Sequence, residues 1–397
     1  MTKQTTIIIA IISGLLILGL GFFLILRSDE ETPAAEEGQA PSFPIGEEMV
    51  FPATGGETGE PTIIEYGGLI EGELSSALIQ LTDFAVSGAV FEPETEKIRY
   101  IEKSTGHVYE IGANGQNKKQ LTITTIPGIY SVDWSKDAAR AILKYFDSET
   151  ETARTFLGSF MATSTEGVFL PSSTTDAAAS PSENNKLFYL MNGEYGAGII
   201  STFENKNINE VFSSAFSEFI IDWPQTNTIT LLTKPSASAQ GYLYKIDPRY
   251  KSFTKILGEI KGLTALYSPT NDRIIYSESR NKSINTKIYD TKNQTAASLG
   301  ITTLPEKCVF SKTDENKIYC AVPISMPSAK YPDEWYQGLI SFSDNLWQIN
   351  VNTGIAKIIF YKSDFDITNL FTDKNENYLF FTNKKDSTLW SLQISND

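Results

Sequence analysis

The chain has 397 residues but a single histidine, His107, and only two cysteines, Cys308 and Cys320. That shortage excludes zinc fingers, iron–sulfur clusters and nearly every site built from several imidazoles or thiolates. Basic residues are also short, 33 against 48 acidic ones, for a net charge of −15. A surface that neutralises phosphate needs the opposite sign, so no nucleic-acid partner is expected. G-x-S-x-G, H-E-x-x-H and phosphate-cradling glycine loops are all missing. A serine or cysteine nucleophile would have to take His107 as its base, and that residue follows a Thr-Gly turn at the start of a strand-like run, where an ordinary sheet residue belongs. These absences set four expectations: the chain is not an enzyme, has no catalytic residue, needs no cofactor and holds no metal.

Long apolar runs are absent except at one place. Ile7–Leu26 is twenty residues without a charge, about 30 Å of helix at 1.5 Å per residue, the thickness of a bilayer core. Lys3 precedes it and Arg27 follows. A cleaved signal peptide is the rival to an uncleaved anchor over residues 1–27. The run exceeds the usual 7–15 apolar residues of such signals, and no A-x-A follows. The expectation is therefore a membrane anchor with a cytoplasmic N-terminus; either reading puts the remainder outside the cytoplasm. Residues 28–76 carry twelve Asp and Glu, no Lys or Arg, and five prolines. Such a segment repels itself and buries little, so it is expected to be a disordered linker. Residues 77–397 hold 31 basic and 36 acidic residues, close to neutral.

Across this near-neutral region a single pattern recurs: an aromatic, a polar turn, then a β-branched and aromatic run. It reads FEPETEKIRYI from Phe91, WSKDAARAILKY from Trp134, ASPSENNKLFYL from Ala179 and WPQTNTITLL from Trp223. It returns as YSPTNDRIIYS from Tyr267, FSKTDENKIYC from Phe310 and FTDKNENYLFF from Phe371. Five successive spacings of 43–45 residues, with four strand-like runs in each, give the arithmetic of a propeller blade. Seven repeats predict an all-β, seven-bladed β-propeller with four-stranded blades over 77–397. The last repeat ends after three strands. Residues 77–82, ALIQLT, resemble a missing fourth strand and are expected to close the ring, since an open ring would expose a sheet edge.

The run YSPTNDRIIYS followed by TKIYDTKNQT resembles the S-P-D-G-x-x-I-x-Y repeat of TolB-type, WD-like bacterial propellers. Lys136 and Lys312 replace the proline, and no blade carries the full turn. The resemblance implies a bacterial propeller outside the cytoplasm and transfers no functional residue.

Two features stand out as candidate sites. Cys308 and Cys320 flank a hairpin and should be cross-strand neighbours, either as a disulfide or as two buried thiols. The sixth repeat spacing is longer by about seventeen residues, and the excess falls at 322–344, between the second and third strands of blade six. Tyr331, Asp333, Glu334, Trp335 and Tyr336 in this insertion are residue types enriched where proteins meet; folding back to cap the ring is the other reading. Asp373–Asn377 alternates oxygen-bearing side chains but lacks a calcium loop's glycine and distal glutamate, and reads as a hairpin turn. Pro171–Ser182, PSSTTDAAASPS, reads as a flexible connector. The expected function is a membrane-tethered, non-enzymatic platform for another envelope protein. The alternative is a carbohydrate-binding or carbohydrate-active propeller, with a glycan stacked on aromatics and oriented by paired carboxylates.

Overall fold

A computed structural model of the protein describes residues 63–64 (backbone only), 78–160, 163–193, 196–216, 218–361 and 364–394. The expected anchor at Ile7–Leu26 and most of the linker lie outside these residues. Among the described residues no helix is long and apolar enough to cross a membrane.

Seven antiparallel sheets follow one another along the chain, each strand paired with its sequence neighbour. The protein is a seven-bladed β-propeller with four-stranded blades. The first strand of each blade faces the axis: Val86–Glu92, Ile129–Trp134, Thr174–Ala179, Phe219–Gln225, Thr264–Tyr267, Cys308–Phe310 and Ile367–Thr372. Second strands are buried along most of their length, as in Leu187–Met191 and Thr228–Thr233, because neighbouring blades cover both faces. The core follows from this. Seven of its clusters each sit at a junction between consecutive blades; Ile101 and Val108 of blade one, for example, pack on Trp134, Leu143 and Phe156 of blade two. The repeating aromatics Trp134, Trp223, Tyr267 and Phe310 are the wedges in these junctions.

The polar turn after each wedge is also structural. Ser180, Ser268 and Ser311 each accept the N–H groups two and three residues on, at 3.0–3.3 Å. A hydroxyl thereby stands in for a backbone turn bond. Pro171–Ser182 is not a connector: Thr174–Ala179 is the inner strand of blade three. Its small residues suit the place where blades converge on the axis, and low complexity disguised that requirement.

Polar bonds cross the junctions between the wedges. Ser87 Oγ donates to Ile129 O at 2.7 Å, Asp133 Oδ2 accepts Ala179 N–H at 2.7 Å, and Asp176 Oδ2 accepts Ile221 N–H at 2.8 Å. Gln225 Nε2 reaches Ser268 O, Arg273 Nη1 reaches Asn316 Oδ1, and Asp344 Oδ2 accepts Ile367 N–H. Blade seven is completed from the other end of the propeller: Leu78–Gln80 pairs antiparallel with Leu389–Gln393, Leu78 opposite Leu392 and Gln80 opposite Trp390. Leu81 N–H and Leu389 O continue this ladder at 2.8 Å. A fifth strand, Ile63–Ile64, pairs with Leu78 and Ile79, so the acidic segment is not wholly outside the fold as expected. The reason is that Leu78–Gln80 offers an edge that any extended backbone can satisfy.

Leu78 is fully buried at this seam. Leu78→Ala should cost about 2–5 kcal/mol and lower a single cooperative transition of the ring in urea. A variant as stable as the parent would contradict closure through this strand.

Candidate functional site

The inner strands run in one direction round the axis, so their alternate side chains share one channel. On three consecutive blades that channel receives a carboxylate: Asp133, Asp176 and Asp222. Asp133 and Asp222 occupy the same place in the repeat, one residue before the wedge, in Val132-Asp133-Trp134 and Ile221-Asp222-Trp223. Asp176 is buried and ion-paired with Lys144 of blade two. The Asp222 side chain is exposed, and Asp133 is half-buried.

This environment holds protons. Burial, with added repulsion from Asp222 and Asp176, pushes the Asp133 carboxyl up to about 7, against the opposing pull of Ala179 N–H and Lys144. Burial and the Asp176 charge push Asp222 up to about 6, opposed by a bond from Trp223 N–H. Both carboxyls are therefore biased toward the protonated form, Asp133 more strongly than the exposed Asp222. Such a pair can give a proton and take one in a single site.

The insertion folds back over the ring face opposite the turns. Tyr331 and Trp335 are buried at 1% and 3% exposure and form a separate core cluster with Phe342 and Leu304. Trp335 Nε1 donates to Asp366, and Lys384 Nζ donates to Trp335 O at 2.8 Å. Asp333 Oδ2 accepts Ala237 N–H of blade four at 2.7 Å, and Glu334 Oε1 accepts Lys330 N–H at 3.2 Å. Of the five expected contact residues, Tyr336 alone keeps a broadly open ring, and its hydroxyl donates to Glu306. Tyr331, Asp333 and Trp335 thus hold the insertion against the neighbouring blades, and a one-turn helix, Asp333–Tyr336, shapes it.

The cap has a charged centre. Lys307, with no exposure at all, pairs with Asp366 at 2.6 Å and Asp344 at 2.8 Å. The rings of Trp335 and Phe342 lie about 5 Å from its ammonium. Next to it, Cys308 and Cys320 face each other across the first two strands of blade six, Cα atoms 4.1 Å apart, and are joined by a disulfide. Elsewhere, His107 bonds Gln120 and Thr125 within blade one, and Asp373 Oδ1 caps its own turn by accepting Tyr378 N–H at 2.8 Å.

No protein family's sequence profile matches the chain, and no curated protein sequence does either. Solved structures do match. An oligogalacturonate lyase in complex with manganese is 10% identical over 85% of this chain and 97% of its own, with a TM-score of 0.57. The oligogalacturonate lyase of Vibrio parahaemolyticus is 11% identical over the same shares, with a TM-score of 0.56. The β-propeller domain of Myceliophteria thermophila Cps50 (Swd1) is 9% identical over 80% of this chain and all of its own, with a TM-score of 0.52. At these identities the likeness establishes the propeller fold alone. It also overturns the expectation that the chain is not an enzyme, because lyases are built on this fold across nearly their full length. A missing histidine site was too narrow a ground for that expectation.

Removing the Lys307 charge would strand two buried carboxylates. Lys307→Met should cost about 3–5 kcal/mol at pH 7, read from urea unfolding. The penalty should shrink at pH 5, because burial already raises Asp344 to about 6 and its neutral form needs no cation. A loss below about 1 kcal/mol at pH 7 would contradict this account of the cap.

Proposed function

We propose that the protein is a carbohydrate-active propeller whose central channel uses Asp133 and Asp222 as an acid–base pair. One observation carries this reading: two carboxyls from the same repeat position on blades two and four, near enough for the charge of Asp222 to act on Asp133, are both pushed above the ordinary carboxylate range, to about 7 and about 6. Structural ion pairs usually lower carboxylate values, so such elevation points to chemistry rather than to stitching. Printed names of two fold neighbours, both oligogalacturonate lyases, support a saccharide as the class of molecule handled.

In this reading a glycosidic bond lies across the channel. Asp133 gives its proton to the departing oxygen as the carbon–oxygen bond breaks. Asp222 takes a proton from the water that bonds to the freed carbon. The Asp176 charge, only partly offset by Lys144, raises both carboxyls, and the Asp222 charge raises Asp133 further. The reading keeps the propeller outside the cytoplasm on the apolar segment Ile7–Leu26, and the Cys308–Cys320 disulfide supports an oxidising compartment.

The test is turnover on a panel of oligosaccharides by full-length protein, with Asp133→Asn and Asp222→Asn alongside. Activity should fall by about 10²–10⁴-fold in each variant. The profile of kcat/KM should peak between about pH 6 and pH 7, falling below as Asp222 protonates and above as Asp133 ionises. Absence of any turnover, or variants as active as the parent, would reject the reading. The same substitutions carry a stability signature. Both folded values lie above the ordinary carboxylate range, so ionisation penalises the folded state as pH rises from about 4 to 7. Asp133→Asn should therefore gain on the order of 1 kcal/mol relative to the parent at pH 8, and nothing at pH 4.

A further inference from the structure

On the ring face away from the cap, the first turns of blades three, four and five border an open, mostly polar hollow of about 440 Å³. Pro181 and Pro269 come from equivalent Ser-Pro turns, and Pro224 from the Trp-Pro turn between them. Pro224 is buried beneath the floor, and the rings of Pro181 and Pro269 give two apolar CH surfaces. Between these lie Asn227, Asn271 and Asp272, with threonine hydroxyls beside them. Amides offer donors and acceptors together, the carboxylate only accepts, and no Lys or Arg lines the cavity.

The cavity is held open by the ring. Gln225 Nε2 donates at 2.9 Å to both Ser268 O and Asn271 O, tying blade four to blade five along its wall. Asn271 Nδ2 donates to Glu315 O of blade six at 2.9 Å. These bonds fix the turns before any ligand arrives, which limits the ordering cost of binding. Gln225 also lies three residues beyond Asp222 on the same inner strand, at most about 10 Å away at 3.3 Å per residue.

Taken together, these features lead us to infer that this cavity is a sugar subsite, and that it selects residues without an acid group. The inference rests on the saccharide reading above and narrows it. Apolar faces alternating with amide and carboxylate groups match a pyranose, which presents CH faces and hydroxyl edges. An oligosaccharide reaching from the channel acids to the turn face places one unit here. A uronate carboxylate would meet Asp272 in the cavity and Asp222, Asp176 and Asp133 beyond it, with Lys144 as the cation set against them. Like charges at short range disfavour that ligand, whereas the hydroxyls or amines of a non-acidic sugar can satisfy both the carboxylate and the amides. The selectivity is thus opposite to the oligogalacturonate in the names of two fold neighbours.

The test is calorimetric titration of full-length protein with cello-tetraose, a glucosamine tetramer and a galacturonate tetramer at low salt. The two non-acidic tetramers should bind at least about tenfold more tightly than the galacturonate tetramer. Asn227→Ala should weaken them by about tenfold. Asp272→Asn should narrow the gap by strengthening the galacturonate tetramer, a gain that misfolding cannot produce. Equal or tighter binding of the galacturonate tetramer, or unchanged affinity in Asn227→Ala, overturns the subsite while leaving the saccharide reading intact. Binding of none of the three by the parent protein overturns both.

Discussion

Ring closure is the constraint from which the remaining structure follows. Each blade is a thin sheet that cannot bury both faces alone, and its apolar second strand is covered only when a blade stands on either side. The last such junction exists because Leu78–Gln80 crosses to the end of the chain and pairs with Leu389–Gln393. Once the ring is closed, seven inner strands must share one axis. Side chains far apart in sequence are then forced into a common channel, whatever their mutual repulsion. Asp133 and Asp176 show how the fold tolerates this: each has an oxygen tied to the next blade's backbone, so the same carboxylates hold the ring together and charge its interior.

That double use explains why an acidic channel is not simply the average of an acidic protein. Most of the chain's excess negative charge sits in residues 28–76, and the rest is close to neutral. The elevated values of Asp133 and Asp222 arise from crowding by protein and from neighbouring carboxylates. The opposite face follows another rule. There the buried ammonium of Lys307 is satisfied by two carboxylates and flanked by two rings, and the insertion is the lid over that ion cluster. A charge so deeply buried leaves the insertion's aromatics little freedom to meet a partner.

The blades were legible because a 43–45-residue spacing and a wedge aromatic are properties of local sequence. The Val-Asp-Trp and Ile-Asp-Trp pair was equally visible, yet nothing local says that two residues 89 positions apart share a channel; only the closed ring does. Asp176 was hidden more completely. It lies in a stretch whose small polar residues read as a connector, whereas the ring makes that stretch the inner strand of blade three and buries Ala177, Ala178 and Ala179. The insertion was legible only as two alternatives, a contact loop or a segment folded back on the ring. The Lys307–Asp344–Asp366 cluster that draws Trp335 inward is assembled from three separate segments, so nothing local decides between them.

The account turns on whether the channel holds two carboxyls of elevated and distinct affinity for protons. Carbon-13 NMR titration of aspartate-labelled protein measures this directly, with Asp133→Asn and Asp222→Asn identifying the signals. The account predicts one carboxyl titrating near pH 7 and lost in Asp133→Asn, and a second near pH 6 and lost in Asp222→Asn. Both residues titrating below about pH 5, as ordinary solvated carboxyls do, would contradict it.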